Sequence, residues 1–128
     1  MSPSGGTAAR KAAPVFAALG DTTRLSLVRR LSTEGPRSIT RLTAGSGVTR
    51  QAITRHLQAL GKAGLVRDTK EGRERVYSLD LKRLKVARAY LDQVSAQWDA
   101  AAVRLKAFVE QSEGQAGMNL KPRRGKAW

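Results

Sequence analysis

Residues 40–66 read TRLTAGSGVTRQAITRHLQALGKAGLV, and the order of features in this stretch decides the fold. Thr40 offers a hydroxyl to cap a short helix running to Ala44, because the first turn of a helix leaves backbone N–H groups without partners. Gly45-Ser46-Gly47 forms a turn, and Thr49 caps a second helix over Arg50 to Ala63. Ile53, Leu57 and Leu60 recur at spacings of four and three, which puts them on one face of that helix. Arg50, Gln51, Thr54, Arg55 and Gln58 fall on the opposite face. Gly64 supplies the left-handed residue that helices commonly end on.

Upstream, Met1 to Ala13 is rich in Ser, Gly and Ala and is expected to be a flexible tail. Pro14 suits the first position of a short helix, Val15 to Leu19, where its missing N–H costs nothing. Gly20 stops that helix, and Asp21 caps another over Thr22 to about Thr33, with Leu25, Val28 and Leu31 on its apolar face. Gly35-Pro36 ends it. Downstream, Leu65 to Lys70 and Glu74 to Leu79 flank Glu71-Gly72-Arg73, a β-hairpin pattern. Asp80 then caps a final helix from Leu81 to about Glu113. The fold class is therefore mostly α with a small β-hairpin (α+β). Its syntax is a winged helix-turn-helix with a long C-terminal dimerisation helix. Residues 14–113 form the domain, helix 81–113 included. Residues 114–128 carry Lys121, Arg123, Arg124 and Lys126 without an acid and are expected to be a disordered basic tail.

The 128 residues allow one such domain and no second full core. Lys and Arg number 24 against 10 Asp and Glu, a formal charge of +14 that points to a polyanionic partner. The excess is concentrated where the motifs lie, with nine basic against four acidic residues between Pro36 and Asp80. No cysteine is present, which excludes disulfides and thiolate metal sites. No apolar run approaches the roughly 20 residues that span a bilayer, and the N-terminus lacks a signal-peptide core. A cytoplasmic location without membrane contact is the expectation. No nucleophile–base pair, metal cluster or phosphate loop is legible, so an enzyme is not expected, and no cofactor is.

The runs Ala18-Leu19-Gly20-Asp21-Thr22-Thr23-Arg24-Leu25 and Val48-Thr49-Arg50-Gln51-Ala52-Ile53-Thr54-Arg55-His56-Leu57-Gln58-Ala59-Leu60, followed by Ala63-Gly64-Leu65-Val66, resemble the signature of ArsR/SmtB-type regulators. The resemblance covers about Val15 to Leu79 and implies a homodimeric repressor whose fourth helix enters the major groove. It departs from the metal-sensing members. Ser38 and Thr40 stand where those carry a Cys-x-Cys pair, and hydroxyls are poor ligands for soft metals. The single His lies outside the family's second metal site, on the last helix. The resemblance therefore implies a subgroup without the metal-sensing sites.

Residues expected to meet double-stranded DNA are Thr49, Arg50, Gln51, Thr54, Arg55, His56 and Gln58 on the fourth helix, with Lys70, Arg73 and Arg75 on the wing. Arg and Gln suit bidentate contacts to guanine and adenine edges, and wing cations suit phosphates. His56, without cysteine or a second His, reads as a polar contact and not a metal ligand. On the last helix Leu84, Ala87, Leu91, Val94, Trp98, Ala101, Leu105 and Phe108 form a heptad seam, which calls for a second helix to cover it. A partner copy is the expected cover, with Val15, Phe16 and Leu19 completing the interface. The function that follows is a sequence-specific regulator, a repressor binding an inverted-repeat operator without a metal signal. A sequence-tolerant architectural DNA-binding protein and a protein-interaction module built on the long helix stay open as alternatives, and so does an effector of unidentified class.

Overall fold

The computed structural model describes residues 3–116; the first three residues of the expected basic tail, 114–116, are helical, and the rest of it, Trp128 included, lies outside the described residues. The elements run α1 (Pro3–Leu19), α2 (Thr22–Glu34), β1 (Arg37–Ser38), α3 (Ile39–Thr43), α4 (Arg50–Lys62), β2 (Val66–Glu71), β3 (Glu74–Leu79) and α5 (Leu81–Ala116). The chain divides into two compact units, one up to Tyr90 and one from Leu91 onward. No described helix is long and apolar enough to cross a membrane.

The first unit is organised around one apolar core. Leu42, Ile53, Leu57, Leu60 and Leu65 are all but inaccessible to water, and Val15, Leu27, Leu31, Val66, Tyr77 and Ala87 join them. The face of α2 that packs inward is Leu27 and Leu31, with Val28 half-buried, whereas Leu25 is 52% exposed. The apolar stripe is thus rotated from the expected one by roughly half a residue's arc, with Leu27 in place of Leu25 and Val28 and Leu31 kept. A run of Leu25, Leu27, Val28 and Leu31 fits either of two neighbouring helical faces, and only the packing decides between them.

Two further expectations are corrected. The flexible stretch and short helix expected before Gly20 are replaced by a single helix from Pro3, which runs through Pro14. Proline inside a helix loses a hydrogen bond. The Ala-rich turns before it favour the helix, and Ala12, only 1% exposed, anchors them in the core. The cap of α3 is Ser38, not Thr40: the Ser38 hydroxyl accepts from the Arg41 N–H at 3.2 Å. Ser38 also ends a strand that the pattern did not reveal. β1 pairs antiparallel with β3, Ser38 opposite Val76, giving a three-stranded sheet in the order β1-β3-β2. A strand of two residues has no periodicity to read.

Turns follow their residue types. Gly45 and Gly47 have φ of 72° and 74°. Between them the Ser46 hydroxyl donates to the Thr43 carbonyl at 2.7 Å and accepts from the Val48 N–H at 3.1 Å. This pins the connection of α3 to α4. At Gly64 a glycine is required twice over, by a φ of +77° and because a Cβ would stand 2.8 Å from Arg83 Cγ. The hairpin turns through Gly72 and Arg73, a positive-φ glycine followed by a residue of negative φ, as in a type II′ turn.

Leu57, at 1% exposure, meets no polar requirement and serves packing alone. Leu57→Ala should lower unfolding free energy by about 2–5 kcal/mol in urea titration. Gln51→Ala, on the exposed side of the same helix, should stay within about 0.5 kcal/mol of wild type.

Candidate nucleic-acid interface

The apolar stripe of α4 fixes which of its side chains face water. Arg50, Gln51, Arg55 and Gln58 are exposed and Thr54 is half-buried, and these five alone line a surface depression of about 530 Å³. The helix carries no acid. Thr49 caps it as expected, its hydroxyl accepting from the Ala52 N–H at 3.1 Å. The Thr54 hydroxyl donates to the Arg50 carbonyl at 2.9 Å, which leaves its lone pairs as acceptors. Arg50 donates to the Thr40 hydroxyl at 3.2 Å, tying the start of α4 to α3. Gln51, Arg55 and Gln58 have no hydrogen-bond partner among the described residues, so their donors and acceptors are available to a ligand.

His56 does not belong to this outward group. It is half-buried on the flank of α4, with Nδ1 3.2 Å from Arg24 Nη1 and 3.7 Å from Asp21 Oδ2. Arg24 also donates from Nε to the Ala18 carbonyl at 2.6 Å, and Asp21 accepts from the Arg24 N–H at 3.0 Å while capping α2. Guanidinium has donors only, so the Nδ1 that faces it serves as the acceptor in this contact. Through Nδ1, His56 ties α4 to the start of α2. Sequence reasoning missed Arg24 and Arg30 as internal fasteners. Arg30 donates to the Leu42 and Arg41 carbonyls at 3.0 and 3.3 Å, satisfying the open C-terminal end of α3. No spacing rule links α2 to carbonyls that lie far along the chain.

The register of the wing decides which of its charges share a face. In the β2–β3 register Asp68 lies opposite Tyr77 and Lys70 opposite Arg75, whereas Thr69 faces Val76 and Glu71 faces Glu74. Lys70 and Arg75 therefore share the face of Asp68 and Tyr77, and the glutamates share the other. Arg73 occupies the turn. Arg75 is engaged with Asp68 in an ion pair, and Arg67 pairs with Asp80 at 3.4 Å. Burial pushes the Tyr77 phenol upward, helped by the Asp68 charge and opposed by Arg75.

The expected dimerisation residues separate into two sets. Val15 and Ala87 are buried within the first unit, and Phe16, Leu19 and Leu84 pack against that core. Phe16 meets Tyr90 edge-on at 6.3 Å between ring centroids. Leu91, Val94, Trp98, Leu105 and Phe108 are between 43% and 67% exposed, and Ala101 is half-buried. Ser38 and Thr40, the positions matching a thiolate pair in metal sensors, serve as helix cap and Arg50 partner.

Residues 19–69 match the helix-turn-helix domain family. The HTH-type transcriptional regulator Rv2034 of Mycobacterium tuberculosis is 41% identical over 76 residues, 59% of this chain and 70% of that protein. An ArsR-like transcriptional regulator from Rhodococcus sp. RHA1 superposes with a TM-score of 0.67 at 35% identity, covering 77% of this chain and 92% of that one. The chain belongs to the ArsR family of winged helix-turn-helix transcriptional regulators. It is a DNA-binding regulator and not an enzyme. Similar too is the homodimeric winged helix-turn-helix DNA-binding domain Mb0332 of Mycobacterium bovis, at a TM-score of 0.57 and 28% identity over 76% of this chain and 88% of that one.

The tie between α4 and α2 makes a pH signature. The Asp21 carboxyl is held below its ordinary 3.8, first by the Arg24 N–H, with lost hydration opposing and the charges of His56 and Arg24 assisting. A carboxyl whose pKa is lower in the folded state adds stability that is complete above its unfolded value and disappears as pH falls through its folded one. Wild type should therefore exceed Asp21→Asn in urea midpoint from about pH 5 upward, and the gap should close on acidification below about pH 3.

Proposed function

We propose that this ArsR-family regulator is a cytoplasmic homodimeric repressor that binds an inverted-repeat operator and does not answer to metals. The observation that carries the reading is the outward face of α4. Gln51, Arg55 and Gln58 are uncommitted on a rigid helix whose other side is locked in the core, and such side chains read base edges in the major groove. Thr49, Arg50 and Thr54 meet the backbone and bases beside them, and Lys70 and Arg73 of the wing meet flanking phosphates. A dimer of such domains matches a two-fold symmetric site, and a protein seated on a promoter excludes polymerase.

Dimerisation is supported by the exposed apolar positions of α5 from Leu91 to Phe108, which recur at heptad spacing. The homodimeric state of the Mycobacterium bovis relative favours the same assembly. Metal indifference is supported by composition, since the chain has no Cys and one His, and that His faces Arg24. Leu91→Glu should place an unpaired carboxylate in the helix pair, at a cost of several kcal/mol. Sedimentation should then find monomers, with operator affinity lost. A tight dimer of the variant would remove α5 from the interface.

The second test measures affinity for a duplex enriched from a random-sequence library and for a scrambled duplex. Gln51→Ala and Arg55→Ala should each cost about 1–3 kcal/mol on the enriched duplex and much less on the scrambled one. Arg73→Ala should weaken both alike and flatten the salt slope by about 0.9 for each phosphate that is no longer neutralised. Micromolar Zn²⁺ should leave all these values unchanged. Identical losses for helix and wing variants would favour a sequence-tolerant architectural protein.

A further inference from the structure

A cleft of about 380 Å³ lies between α4 and the wing, floored by Leu57 and Tyr77 and rimmed by Thr54, Gln58, Asp68 and Arg75. Thr54 and Gln58 also border the outward face of α4, so the cleft opens onto the surface assigned to DNA. A backbone strand that passes from the recognition helix to the wing has to cross this mouth. The cation waiting there is Arg75, and Asp68 already holds it.

We propose that Asp68 is an affinity-setting residue that stands in for a phosphate, so that Arg75 meets DNA by exchanging one anion for another. The inference rests on the reading that the wing faces DNA. Register explains why a carboxylate is placed there. Lys70 and Arg75 lie directly opposite each other across the ladder, a like-charge pair that opposes pairing of the strands. Asp68, next along the same face, relieves that repulsion and keeps Arg75 in place. Lys70 and Arg73 have no such carboxylate partner among the described residues, and their contacts to phosphate are additions.

Exchange and addition differ in what they cost. Any cation that neutralises a phosphate displaces condensed counterion from DNA, which gives the usual slope of about 0.9 per contact. Arg75 must first leave Asp68, so its contact is weaker than that of Arg73 by the strength of the ion pair. Salt screens that partly exposed pair, so the cost is greatest at low salt.

The test is a double-substitution cycle of Asp68→Asn and Arg75→Gln in the full chain, with affinity measured against salt on the enriched and scrambled duplexes. Asp68→Asn should tighten binding to the enriched duplex at low salt by about fivefold at each wing, the weight of one partly exposed ion pair. The gain should shrink as salt rises, because the ion pair that it removes is screened. Arg75→Gln should cost less in the wild-type background than in the Asp68→Asn background, where it should abolish the gain. The double variant also restores the charge balance of the strand pair, so a wing weakened by the first substitution is recognised. A gain from Asp68→Asn that persists without Arg75 would make Asp68 a plain surface charge and overturn the exchange, as would no change at all. Equal affinity of wild type for both duplexes would instead defeat the operator reading, and the cycle would still test the wing on either duplex.

Discussion

Burial of Ile53, Leu57 and Leu60 on one side of α4 is the constraint from which the rest of the structure follows. With exposures of 0–1% these residues leave the helix no freedom to roll about its axis. A roll of one residue would move roughly 100° of arc, withdrawing an aliphatic side chain from the core and driving Arg50 or Gln58 into it. Each end is fixed as well, by the Thr49 cap and by Gly64, where backbone conformation and the Arg83 side chain together forbid a Cβ. The polar face is thus presented at a set angle without contributing to its own orientation. Its residues are free to be selected for what they bind.

The same economy governs the arginines. Arg24, Arg30, Arg67 and Arg75 are spent on carbonyls, a histidine nitrogen or carboxylates. Arg55 and Arg73 have no such partner among the described residues. The count of 24 Lys and Arg overstates the cations directly available to a polyanion. What matters for affinity is which guanidinium groups are uncommitted before DNA arrives. A committed arginine contributes only the difference between its new partner and the old one.

Much of this was legible in the sequence because it rests on local chemistry. The α4 stripe, the Thr49 cap, the glycine turn and the hairpin each depend on residues close in the chain. The Arg50, Gln51, Thr54, Arg55 and Gln58 face was equally readable, since the helix period sorts it from the core. What escaped depends on partners distant in sequence. β1 exists only because β3 pairs with it, Ser38 caps α3 because that strand delivers it there, and His56 turns toward Arg24 thirty-two positions away. A histidine amid the polar residues of α4 gives no local sign that its Nδ1 already has a partner. The α1 helix escaped for a different reason. Pro14 is a strong local stop signal, whereas the burial of Val15 and Ala18 in the core, which holds the helix there, depends on partners distant in sequence.

The heptad seam marks the limit of periodic reading in another way. Leu84, Ala87, Leu91, Val94, Trp98, Ala101, Leu105 and Phe108 form one unbroken pattern, yet the structure divides it near Tyr90. Leu84 and Ala87 are absorbed by the chain's own core, and Leu91, Val94, Trp98, Leu105 and Phe108 are exposed. Spacing alone states that a stripe needs cover and is silent on what provides it. One helix carries both stretches without a break in the period, so the spacing gives no sign of where cover by the chain's own core ends.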